Sequence, residues 1–234
     1  MNWLTWFRDL GQLGANTMEA ASTHNLVGLF LDKMGWSEYA RNWTFKIMEQ
    51  PIGGWVCPVS VPDDIRILLK PTTNLNQLAI LLHELGHAMY HTLNTASGLG
   101  KLWTDVENET SAIITEHIGL EIMLTSQELA LVRELRLLET VRCAISFQFE
   151  DDLNQQPECA EALYHHHYGR LLPVEDPTVW ALDSFRSIDP VYIHNYVLGA
   201  ITAEHVLADL RKQFGEDYLA WGAQLSKWRF VHTR

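Results

Sequence analysis

The sequence predicts a mainly α-helical, single-domain protein spanning residues 1–234 with one small β element. Three observations predict it. Apolar residues recur at helical spacing through most of the chain. Glycine, proline and β-branched residues gather in one stretch, from Gly53 to Lys70. The composition, 47% hydrophobic and 20% charged, is that of a globular chain long enough for one core, and no linker divides it.

Residues 1–50 read as N-terminal helices, with Met18 to Met34 at helical spacing and Gly35 as its stop. Gly53 to Pro62 reads as an extended edge segment, because proline is tolerated mainly at sheet edges. Ile65 to Lys70 is a second short strand, and Pro71-Thr72-Thr73-Asn74 turns and caps the next helix. In that helix Leu75, Leu78, Leu81, Leu82, Leu85 and Met89 form one apolar face, which places it in the core. Thr95 to Lys101 is a small-residue loop, and helical spacing returns from Asn108 to Leu124. Gln127 to Phe149 reads as a long helix, Asp151 to Pro157 as a turn, and 158–169 as helical again. After a loop from Leu171 to Pro177, Tyr192 to Phe214 is helical, Gly215 ends it, and a last helix precedes a basic tail.

The formal net charge of -12 argues against nucleic acid and anionic membranes as partners. No apolar run reaches membrane-spanning length, and the first ten residues lack the basic and apolar regions of a signal peptide. Cys57, Cys143 and Cys159 are widely spaced with no CxxC, which suggests reduced thiols and a cytoplasmic location. His165-His166-His167 reads as a solvated helix face.

The core helix carries His83-Glu84-Leu85-Gly86-His87. Histidines four apart on a helix start about 5–6 Å from one another, close enough to share a metal ion. Glu84 then reaches a water on that metal and takes its proton, the HExxH arrangement of zinc hydrolases. Buried polar groups need partners, and a single Zn2+ per chain supplies one. Catalytic zinc takes three protein ligands and keeps one position open. A glutamate on a following helix as third ligand makes a gluzincin, within a zincin-like fold. Glu107 and Glu109 are both candidates. Glu109 is favoured because it shares a helical face with Ala112, Ile113 and Glu116. Glu107 stands before the helix is established. Glu116 suits a supporting acceptor for a ligand histidine. On this reading residues 53–123 form the metal-site core and 125–234 the C-terminal helices.

Leu81 to Met89 resembles the thimet oligopeptidase and oligoendopeptidase F family of zinc peptidases. The order of Gly54-Trp55-Val56-Cys57, then Ile65 to Leu69, then the motif helix is similar to that family, as is Glu109 with Glu116 seven residues later. Pro190 to Gly199 looks like its tyrosine-rich segment. The resemblance implies a mostly helical catalytic domain, cleavage of short peptides in a deep cleft, and tyrosine and histidine groups on the substrate carbonyl. Family members are commonly far longer, with a helical lobe roofing the cleft.

The chemistry expected is hydrolysis of a peptide bond. His83, His87 and Glu109 hold the zinc and Glu84 is the base. Tyr192, His194 and Tyr196 are candidate oxyanion donors, with an aromatic core stripe as the plain alternative. Gly54, Trp55, Val56 and Cys57 offer an edge on which a peptide substrate can pair. Two other readings stand beside this one: a protease dedicated to one protein or precursor peptide, and a metal-binding, non-catalytic interaction protein. Tryptophans at 3, 6, 36 and 43 suggest interface anchors and a homo-oligomer.

Overall fold

The computed structural model describes residues 22–50, 53–94, 105–171, 174–182 and 192–227. It is mainly helical, with a small three-stranded sheet. The expectations placed on Trp3, Trp6, Thr95 to Lys101 and Pro190 lie outside the described residues.

Helix α1 (Thr23–Met34) starts at Ser22, whose side chain accepts from the Asn25 N–H, and stops at Gly35. That glycine has φ 66°, a left-handed conformation that side chains disfavour. Strands β1 (Trp43–Ile47), β2 (Gly54–Ser60) and β3 (Asp64–Leu69) follow. β3 is central, parallel to β1 and antiparallel to β2. Its Ile65, Ile67 and Leu69 are buried, as its position between two strands and under a helix requires. β2 is an edge, as its glycines and proline suggested.

Helix α2 (Leu75–Leu93) is the motif helix. The Asn74 side chain caps it by accepting from Gln77 N–H, and the six apolar residues expected to face inward are all buried. Helix α3 (Asp105–Met123) lies against it at very short range. A Cβ added to Gly86 would sit 2.5 Å from Ala112 Cα and 2.7 Å from Ser111 O. Ser111 Oγ donates to Gly86 O at 3.0 Å, binding the two helices at that crossing.

Helix α4 (Ser126–Gln155) opens on a capping box between Thr125 and Glu128. Helix α5 (Ala160–Tyr168) packs Tyr164 and Tyr168 on Phe149 of α4. Helix α6 (His194–Phe214) crosses α3, and Gly215 caps its end at φ 59°. Helix α7 (Tyr218–Leu225) closes under α1, where Trp36 Nε1 donates to Gly222 O. Among the described residues, no helix is long and apolar enough to cross a membrane.

The structure corrects four expectations. Residues 43–47, read as helix, form β1, because Trp43 to Ile47 pairs residue for residue with Ile65 to Leu69. Asp151 to Gln155, read as a turn, continues α4, pinned by buried Phe149 and by His167 Nε2 at 2.7 Å from Asp152 Oδ2. That bond also withdraws His167 from solvent, so only His165 and His166 of the tract are exposed. Trp36 and Trp43 fill the core at 2% and 7% exposure, so neither serves as an interface anchor.

Candidate metal centre

Helices α2 and α3 bring together His83, His87 and Glu109, with one potential ligand atom from each lying within 4.8 Å of the others. The two imidazoles meet edge to face, centroids 4.7 Å apart. His83 Nε2 is 3.3 Å from Glu109 Oε2, and His87 Nε2 is 3.8 Å from Glu109 Oε1. Glu109 is 1% exposed, and among the described residues its Oε2 makes no hydrogen bond. Burying a carboxylate costs free energy unless charge compensates it, and a cation between the three side chains would supply that compensation. Among the described residues no other three His, Cys, Asp or Glu side chains converge in this way.

Glu107 is not in this group. Contrary to the sequence reading, it already lies within α3, which begins at Asp105. Its phase on the helix carries it toward Tyr90, whose hydroxyl donates to Glu107 Oε2 at 3.3 Å.

Each histidine is held from behind. His83 Nδ1 is 3.2 Å from Glu116 Oε2, and Glu116 Oε1 is 2.5 Å from Arg136 Nε on α4. His87 Nδ1 is 2.9 Å from Asn108 Oδ1. Both Nδ1 atoms are thereby occupied, and both Nε2 atoms turn toward Glu109. The sequence indicated Glu116 but not Asn108 or Arg136. Asn108 had a signal, since it directly precedes the third member of the cluster. Arg136 had none, because it arrives from another helix.

Glu84 is 8% exposed. Burial raises its pKa, the charges of His87 and His83 pull it back, and Glu109 adds to the rise. Burial disfavours a charged His83, but the Glu109 and Glu116 carboxylates outweigh it and raise its pKa to about 10. Glu109 and Glu116 are lowered despite their burial, the first chiefly by His87 and His83, the second chiefly by Arg136. His91, one turn beyond His87, is driven down to about 4 by burial and by the His87 charge.

β2 passes directly over Glu84. A Cβ on Gly54 would fall 2.5 Å from Glu84 Cγ and 2.8 Å from its Oε1. Along the same strand Val56 is half-buried, while Trp55 and Cys57 are exposed.

The C-terminal aromatics divide. Tyr196 stacks on His83, centroids 6.2 Å apart, and burial with the nearby carboxylates lifts its pKa well above the usual tyrosine value. Tyr192 donates its hydroxyl to Glu109 Oε1 at 2.6 Å. It stands in the turn before α6, which begins at His194, so the expectation that this helix starts at Tyr192 is corrected. His194, between them, packs its ring on Phe147 of α4 at 5.8 Å.

No family model, no curated protein and no solved structure matches this chain.

Proposed function

We propose that this chain is a zinc-dependent metallopeptidase that hydrolyses peptide bonds of short peptides, as its resemblance to the thimet oligopeptidase and oligoendopeptidase F family implies. The observation that carries the reading is the convergence of His83, His87 and Glu109 with Glu84 on the same turn of helix. The donor set fits zinc: two imidazoles and one carboxylate, each supported from behind, are the ligands of a site with one open position. Glu109 Oε2, buried 3.3 Å from His83 Nε2 and without a hydrogen bond among the described residues, supports the reading.

A zinc ion held there supplies Lewis acidity, polarising a peptide carbonyl and making a water acidic near neutral pH. The chain's own groups do the rest. Glu84 accepts the proton of the attacking water on its carboxylate and returns it to the leaving amine. Its burial favours carrying that proton between the two steps. Tyr196 keeps its hydroxyl proton and donates it in a hydrogen bond as negative charge grows on the carbonyl oxygen. Gly54 to Cys57 offers the main-chain edge on which a peptide lies extended beside Glu84.

The test is a mixed peptide library incubated with the zinc-loaded protein, with and without chelator, and cleaved bonds read by mass spectrometry. Cleavage at many sequences that stops with chelator is expected. Cleavage of a single sequence would instead favour a dedicated protease. No cleavage by the zinc-loaded protein would overturn the enzymatic reading and leave a metal-binding interaction protein.

A further inference from the structure

We infer that Tyr192 is a positioning residue, which holds Glu109 so that it offers the metal a single oxygen. This rests on the zinc-peptidase reading and separates two residues that the sequence treats as equivalent.

Glu109 has two oxygens, and a carboxylate held at neither can turn to present one or both to a metal. Here Oε1 accepts the Tyr192 hydroxyl at 2.6 Å, the short distance of a hydrogen bond to a charged acceptor. Oε2 is buried, has no hydrogen bond among the described residues, and lies 3.3 Å from His83 Nε2. One oxygen is therefore engaged and the other presented.

Tyr192 is well built for this task. Its carbonyl accepts the N–H of Asn195 at 2.9 Å in the turn that starts α6, and Asn195 is buried. Its ring meets Tyr196 edge to face at 5.8 Å. The α6 backbone also presses on the ligand, since a Cβ on Gly199 would lie 3.1 Å from Glu109 Cβ. A hydroxyl carries one proton. For Tyr192 to donate to a substrate oxygen it would have to abandon a buried carboxylate, whereas Tyr196 stacks its ring on His83.

Three measurements test this on wild type, Tyr192→Phe and Tyr196→Phe: zinc affinity by competition with a chelating dye, the visible absorption spectrum of the cobalt(II)-loaded protein, and steady-state kinetics on a cleaved peptide. Tyr192→Phe deletes one oxygen from a half-buried ring, so the fold is expected to hold, and circular dichroism of the metal-free protein checks that. The expected result is a zinc dissociation constant raised about 10–100-fold in Tyr192→Phe, with a changed cobalt spectrum. Tyr196→Phe is expected to stay within about threefold of wild type in affinity with an unchanged spectrum, while its kcat falls more than its KM rises. Unchanged affinity and spectrum in Tyr192→Phe, or equal losses of affinity in both variants, would overturn the division. A wild-type protein that takes up no zinc would overturn the metal-site reading itself, an outcome distinct from these.

Discussion

Glu84 lies on the helix turn between the two histidines, buried and with its carboxyl beside the cluster. Glu84→Gln is expected to keep zinc at one per chain while losing roughly 10²–10⁴-fold in turnover. Full activity in that variant would refute the assignment of the base. Gly54 makes a second test at this scale. Its added Cβ would overlap the Glu84 side chain, which must then move. Gly54→Ala should leave zinc content intact yet cost on the order of 100-fold in kcat, since small misplacements of a reacting group carry penalties of that size. The two glutamates of α3 give a third. Glu109→Ala should abolish tight zinc binding, and Glu107→Ala, which removes an acceptor of the Tyr90 hydroxyl, should not. Metal analysis after dialysis decides between them.

Two elements depend on local devices that can be removed singly. The α2–α3 crossing is set by Gly86, where a side chain would meet backbone and not a flexible tip. Gly86→Ala should destabilise the protein by about 1–3 kcal/mol as overpacking does, and weaken zinc binding by parting the two ligand-bearing helices. Urea midpoints and zinc titrations read both effects. At the start of α4, Thr125 N–H and Oγ1 both donate to Glu128 Oε2, at 3.0 and 2.7 Å. These bonds hold the Glu128 pKa below its usual 4.5. A carboxylate depressed in the folded state contributes stability that is present above 4.5 and lost as pH falls through the lower folded value. Thr125→Ala is therefore expected to cost about 1 kcal/mol at pH 7. The cost of Glu128→Ala should shrink as the pH is lowered below 4.5. A penalty that stays constant from pH 7 to pH 3 would disprove the charge's part in the cap.

For the molecule as a whole, zinc that binds the folded state and not the unfolded chain must raise the melting temperature. At 1,000 times the dissociation constant the gain is about 4 kcal/mol, which for a chain of this size is on the order of 10 °C. Thermal unfolding with zinc and with chelator should differ by that amount in wild type and by little in Glu109→Ala. A homo-oligomer remains our proposal for the assembly. With Trp36 and Trp43 buried, its support is the exposed apolar residues Trp55, Leu198 and Ile201. A light-scattering mass of 26.8 kDa that does not change on concentration would refute it.

The motif helix, its Asn74 cap, its buried leucine face and the Gly35 and Gly215 stops were all legible in the sequence, because each depends on residues within a few positions of one another. The choice of Glu109 over Glu107 was legible too, through helical phase, although the start of that helix was placed too late. What neighbours in space decide was not legible. β1 is a strand because β3 lies beside it, and the last turns of α4 stay helical because α5 covers them. Arg136 reaches Glu116 from another helix, and Tyr192 reaches Glu109 across 83 positions of chain. Side-chain types and periodicity specify which faces want burial and which groups could hold a metal. Only packing specifies which tyrosine meets which oxygen, since that depends on how closely α6 settles on α3 at Gly199.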